Sequence, residues 1–168
     1  MIEESRHPIG PPEIQEHNKA VTIREGVWDI GEMKTLTLGT MHLEEVLAFV
    51  RNPLTADNNP IHQDPSAAEN FCRANGIAYP DNAVVLPGAL SVARCTSVAL
   101  GVLGNVAVRE LRSVKFLRPV FTGEEVTMKL TLDRARKGFA FFSLVCDVPD
   151  VMRSPAMTAE FVVFLPPR

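Results

Sequence analysis

Asp57 and His62 stand five residues apart in the run Asp57-Asn58-Asn59-Pro60-Ile61-His62-Gln63-Asp64. Carboxylate and imidazole are the two side chains most often used to move protons near neutral pH, and a carboxylate beside a histidine can orient its ring or hold a water. Pro60 fixes its own φ near −65° and pushes Asn59 toward extended backbone, so the run predicts a stiff, irregular loop that is not a continuous helix. Such a loop can bring Asp57 and His62 to one point. A turn that merely exposes both residues is the plainer alternative, since Asx-Pro clusters usually just make turns.

The elements that must carry this loop are legible on either side of it. Thr35-Leu36-Thr37-Leu38 alternates as a half-buried strand does. Residues 42–50 switch to helical spacing, with Leu43, Val46, Leu47 and Val50 on one face and Thr40 as the expected N-cap. After the loop, residues 65–76 read as a helix opened by Pro65 and closed by Gly76. The segment from Gly88 to about Leu103 is small or apolar around nearly its whole circumference, which predicts an interior helix. Four strand-like runs follow: Val106 to Phe116, Val126 to Leu132, Phe139 to Cys146 and Ala156 to Phe164. The expected fold class is α+β, an antiparallel sheet wrapped around a long central helix. Residues 1–28, with Pro8, Pro11 and Pro12, read as an extended arm that Trp28 pins to a single domain spanning 29–168.

Composition narrows the function classes. The 168 residues are 46% hydrophobic and 22% charged, ordinary values for one globular domain. A net charge of −3 gives no general attraction for nucleic acid, and no zinc-type Cys/His spacing occurs, so nucleic-acid binding and metal catalysis are set aside. The start, Met1-Ile2-Glu3-Glu4, lacks the basic and apolar regions of a secretory signal, and no apolar run approaches a bilayer span, so a cytoplasmic protein without membrane attachment is expected. Cys72, Cys95 and Cys146 are odd in number and embedded in apolar sequence, which reads as buried free thiols in a reducing compartment. Arg94 is the only evident activator for Cys95 as a nucleophile.

Read as Asp-x-Asn-Pro-Ile-His-x-Asp, residues 57–64 resemble the signature of the MaoC-like (R)-specific enoyl-CoA hydratases and 3-hydroxyacyl thioester dehydratases. Ile30-Gly31-Glu32 and residues 40–49 resemble that family's opening strand and first helix, Leu86-Pro87-Gly88-Ala89-Leu90 the start of its central helix, and residues 116–124 its Phe-x-Arg-Pro-Val turn. Ala56 departs from the glycine usual in that family before the aspartate.

The resemblance implies the hot-dog fold and reversible, (R)-specific addition of water to a 2-enoyl thioester. Asp57 and His62 would share the water, and the Gly88 amide would face the thioester oxygen. Asn59, Pro87 and Ala89 would border the substrate. The acyl group would be carried on coenzyme A or acyl carrier protein, no cofactor would be needed, and a homodimer is expected. Arg109, Arg112, Lys115 and Arg118 read either as a phosphate contact or as charge decorating a sheet edge; in a regular strand Arg112 and Lys115 face opposite sides. A hot-dog thioesterase and a non-catalytic supporting subunit remain the alternatives.

Overall fold

The computed structural model describes residues 20–23, 26–104, 106–149 and 155–165. Most of the expected arm, including Pro8, Pro11 and Pro12, lies outside them. Its end is a short antiparallel hairpin of β1 (Val21–Ile23) and β2 (Gly26–Trp28). Val21, Ile23 and Trp28 are buried there, and Trp28 meets Phe142 edge to face at 5.3 Å.

The main sheet holds β3 (Met33–Thr40), β4 (Val108–Phe116), β5 (Glu125–Arg136), β6 (Phe139–Asp147) and β7 (Met157–Phe164) in the order β3-β5-β6-β7-β4, all antiparallel. Along β6 every second residue from Ala140 to Cys146 is buried, so the period-2 pattern points one face inward. Those residues, with Met128, Leu130 and Leu132 of β5 and Phe161 and Val163 of β7, pack on Cys95, Ala99 and Leu103 of the central helical segment. Each large apolar side chain closed off in this way stabilises the fold by about 1.5–3 kcal/mol.

The central helix α3 runs from Gly88 to Val102, but its burial is less complete than its composition predicts. Only Cys95 and Ala99 are fully buried within it, while Ala89, Ala93, Ser97 and Gly101 are exposed. The sheet covers one side of the helix, and the small residues occupy the other.

Helix α1 (Leu43–Val50) begins two residues later than Thr40 as N-cap would give. Thr40 ends β3, and His42 is the N-cap, its backbone N–H donating to the Glu45 carboxylate at 2.8 Å. Likewise, residues 30–32 form a turn, with Gly31 at φ 88, and the strand starts only at Met33. Helix α2 (Pro65–Asn75) follows its sequence signals: Pro65 opens it, and Gly76 closes it at φ 65.

Strand β4 pairs within the sheet only with β7, so the basic run does lie on an edge. Ser113, at φ 50, sits in a break of register between Arg112 and Lys115. Arg112 therefore opposes Glu160 and Lys115 opposes Thr158, two positions of like parity on β7. The extra residue turns Arg112 and Lys115 to the same side of the sheet, against the expectation for a regular strand. Arg112 pairs with Glu110 at 2.5 Å, Arg118 with Asp147 at 3.2 Å, and Arg109 stacks on Phe139 at 4.3 Å. Arg109, Arg112 and Lys115 thus sit on the sheet edge, whereas Arg118 lies past the end of β4. Among the described residues no helix is long and apolar enough to cross a membrane.

Candidate active site

The loop 51–64, which carries Pro53 and Pro60, is irregular and not a continuous helix. It contains one 3-10 turn, Pro60–His62, capped by Asn59, whose side-chain oxygen accepts from the Ile61 N–H at 3.3 Å. Asp57 Oδ1 accepts from the Asn59 N–H at 3.0 Å, and Gln63 donates to the Asp57 carbonyl at 2.8 Å. Asp64 is the N-cap of α2, accepting from the Ser66 N–H at 2.9 Å. Ala56 does not take left-handed backbone; its N–H donates to Asn52 and that of Asp57 to Val50. The loop thus needs no glycine before Asp57.

These bonds leave Asp57 Oδ2 3.7 Å from His62 Nε2. The other ring nitrogen, Nδ1, lies 2.7 Å from the Val85 carbonyl oxygen. A carbonyl oxygen only accepts, so Nδ1 carries a proton and, in the neutral ring, Nε2 turns a lone pair toward the carboxylate. His62 is 9% exposed, the one buried polar side chain of the described core, and Asp57 is more open. The arrangement can hold one water between an imidazole nitrogen and a carboxylate oxygen.

Val85 ties this pair to the start of α3. Its N–H donates to the Ile61 carbonyl at 3.0 Å, so Ile61 and His62 both bind the same backbone unit. Residues 84–86 are held on their other side by Val120 and Thr122 through the bonds Leu86 N–H to Val120 O and Thr122 N–H to Val84 O. Gly88 lies three residues beyond Val85, which caps their separation at about 11 Å. As the first residue of α3, Gly88 has an amide without an acceptor inside the helix, at the positive end of the helix dipole.

Between the first half of α3 and the concave face of the sheet is a cavity of about 370 Å³, mostly apolar and of a size that takes small ligands. Gly88, Ser91, Arg94 and Cys95 line it from the helix, and Leu38, Val126, Cys146 and Met157 from the sheet. Asp57 and His62 do not line it; the wall nearest them is formed by Ile61 and Val85. Phe116 lines it also, with its ring against Gly88: a Cβ there would begin 2.7 Å from Phe116 Cζ. The room that glycine leaves at this point is therefore taken by an aromatic ring. Phe116 is 55% exposed and free to turn outward.

Of the other residues expected at the substrate, Asn59 shapes the loop, Pro87 is the N-cap of α3, and Ala89 faces outward. None of the three lines the cavity. Sequence reasoning passed over Val85, whose contribution is a backbone oxygen, and read Arg94 only as an activator of Cys95, whereas its Nε–H donates to the Leu38 carbonyl at 2.9 Å and its Nη1 sits 3.7 Å from Glu45. Among the described residues no group of three His, Cys, Asp or Glu side chains is placed to hold a metal.

No family model matches the chain, and no curated protein matches it by sequence. Solved structures do. An (R)-hydratase from A. caviae involved in PHA biosynthesis is 28% identical, over 82% of this chain and 96% of that one, with a TM-score of 0.60. An unliganded R-hydratase from Pseudomonas aeruginosa is 16% identical over 83% of each chain, at 0.63. A C-terminally truncated 3R-hydroxyacyl-ACP dehydratase complex from Mycobacterium tuberculosis is 15% identical, covering 80% of this chain and 96% of that one, at 0.58. The chain is a MaoC-like hot-dog protein.

Within this MaoC-like chain, the four short motifs that carried the resemblance fall on one contiguous structure. The Asp-x-Asn-Pro-Ile-His loop, the 84–88 segment and the 116–124 turn are joined by the backbone bonds through Val85, Leu86 and Thr122. The opening motif supplies Met41 to the cavity. The neighbours in structure include two hydratases and a dehydratase.

Proposed function

We propose that the protein is a hydro-lyase that adds water to 2-enoyl thioesters, or removes it from (R)-3-hydroxyacyl thioesters, with Asp57 and His62 as the acid-base pair. The observation that carries this reading is the tautomer lock: His62 Nδ1 is tied to the Val85 carbonyl at 2.7 Å, while Nε2 and Asp57 Oδ2 converge at 3.7 Å.

A water between them donates one hydrogen to each acceptor, which leaves an oxygen lone pair for Cβ of the enoyl group. As the C–O bond forms, one water proton stays on the pair and the π electrons move toward the thioester carbonyl. The Gly88 amide, at the helix N-terminus, stabilises the charge gathering on that oxygen. The retained proton then passes to Cα. Dehydration is the same path reversed. The acyl chain would occupy the apolar cavity, with Phe116 turning away from Gly88 to open the way from the pair.

A panel of enoyl-CoA and 3-hydroxyacyl thioesters, in both coenzyme A and acyl carrier protein form, tests the reading by absorbance of the conjugated double bond. Loss of that absorbance on hydration, with retention of the thioester, is the expected result. Release of free thiol instead would establish a thioesterase, and silence toward the whole panel by the purified protein would favour a supporting subunit. Sizing the active species tests the expected homodimer.

A further inference from the structure

Two thiols meet on the wall of the cavity. Cys95 lies on α3 about two turns beyond Gly88, and Cys146 lies on the inward face of β6. Their Sγ atoms are 3.1 Å apart. Both residues line the cavity and are otherwise closed off, at 2% and 3% exposure. A buried cysteine usually packs as a small apolar group, and the hydration chemistry above uses neither. Here two residues 51 positions apart in sequence share a hydrogen bond beside a space open to water-sized molecules. Closing that distance to a bond of about 2.05 Å takes roughly one ångström of sulfur movement.

We propose that Cys95 and Cys146 form a redox modification site, at which a hydroperoxide entering the cavity oxidises the pair to a disulfide joining α3 to β6. The Cys95 thiolate attacks the peroxide, and the O–O bond breaks to give a sulfenic acid and an alkoxide, or hydroxide from hydrogen peroxide, which takes up the proton that Cys95 released. Cys146 Sγ then displaces the sulfenic oxygen, which leaves as water with the Cys146 proton. The balance is two thiols and one hydroperoxide to one disulfide, one water and one alcohol, or two waters for hydrogen peroxide, with two electrons passing from sulfur to oxygen. The hydrogen bond from Cys146 holds the Cys95 thiol below the usual cysteine value, against the effect of burial, while the same bond and burial push Cys146 up. Exchanging the roles of the two sulfurs leaves the disulfide and the balance unchanged. Cys72 belongs to a separate apolar cluster with no thiol beside it among the described residues, and burial raises it. It serves as an internal control.

The site stands on geometry independent of the reaction proposed above, and its test reads a covalent bond. The reduced full-length protein is treated with hydrogen peroxide, quenched, unfolded and alkylated. The expected product carries one alkyl group, on Cys72, and a disulfide-linked peptide pair containing Cys95 and Cys146; dithiothreitol restores alkylation of all three cysteines. The oxidised protein should melt higher than the reduced one, because the bond closes a long loop. Cys95→Ser and Cys146→Ser should form no intramolecular disulfide, and Cys72→Ser should form it as the wild type does. Three alkylated thiols after peroxide, or a bond through Cys72, would overturn the proposal. The wild-type peptide map decides the matter even where a serine variant folds poorly.

Discussion

His62 Nδ1 lies 2.7 Å from the carbonyl oxygen of Val85, so the orientation of an imidazole on one loop is set by a backbone atom 23 residues further along the chain. The same peptide segment leads within three residues to Gly88, the first residue of the central helix. Any movement of α3 relative to the 57–64 loop therefore moves the imidazole together with the amide expected to face the thioester oxygen.

Asp57→Asn and His62→Ala should each lower turnover on the best thioester substrate by about a hundredfold or more, the range expected for loss of a general acid or base. Asparagine keeps the Asn59 N–H acceptor while removing the proton acceptor, so Asp57→Asn should leave the far-ultraviolet circular dichroism and melting temperature near wild type. Folded variants of both residues with unaltered rates would remove this pair from the mechanism.

Asp64 separates structure from chemistry within the same motif. Its carboxylate accepts from the Ser66 N–H and caps α2. Asp64→Ala should cost about 0.5–2 kcal/mol in a urea titration, the usual penalty for losing an N-cap. The fall in turnover should be far smaller than for Asp57→Asn. If activity falls as steeply as for Asp57→Asn while stability does not change, the assignment of Asp64 as a cap is wrong.

Gly88 is constrained by Phe116. In Gly88→Ala the new methyl group meets the ring at 2.7 Å, but the exposed ring can swing away, so melting should change little. If the Gly88 amide faces the developing oxyanion, valine at this position should remove roughly 2–4 kcal/mol of transition-state stabilisation. The double variant with Phe116→Ala distinguishes two causes. Recovery of the rate would assign the damage to the displaced ring, and persistence of the loss would assign it to crowding of the amide.

The sequence patterns that survived folding are those governed by local rules. Pro65 and Gly76 bound α2 because proline suits a first turn and Gly76 supplies the left-handed residue that ends it. Alternation over Thr35–Leu38 reported an inward face, since Leu38 is buried in the core and Leu36 packs against it while Thr35 and Thr37 are exposed. The misplaced features depend on tertiary competition. Thr40 is a good cap in isolation, but its backbone pairs with Glu125 of β5, which leaves His42 to begin α1. The parity of Arg112 and Lys115 failed at Ser113, where no glycine announces the bulge. At the site, Asp57 and His62 were legible through their side chains. Val85 was not, because a carbonyl oxygen leaves no trace in residue identity, and the Cys95–Cys146 contact spans 51 residues with no spacing rule to reveal it.

The stereochemical course of the reaction tests the single-loop arrangement most directly. Asp57 and His62 lie within five residues, stiffened by the Asn59-Pro60 step and by the bonds to Asn59 and Val85, and their facing atoms are only 3.7 Å apart. Groups so held cannot address both faces of a flat enoyl thioester, so one water placed between them must supply hydroxyl and proton from the same side. Hydration in D₂O should therefore place deuterium at Cα on the face that receives the hydroxyl, and the product should be the (R)-3-hydroxyacyl thioester. Proton NMR coupling of the reduced product reads the relative configuration, and chiral chromatography reads the absolute one. Anti addition would require a second proton donor outside the loop, and an (S) product would mean the enoyl group presents its other face to the pair; either would exclude the proposed mechanism.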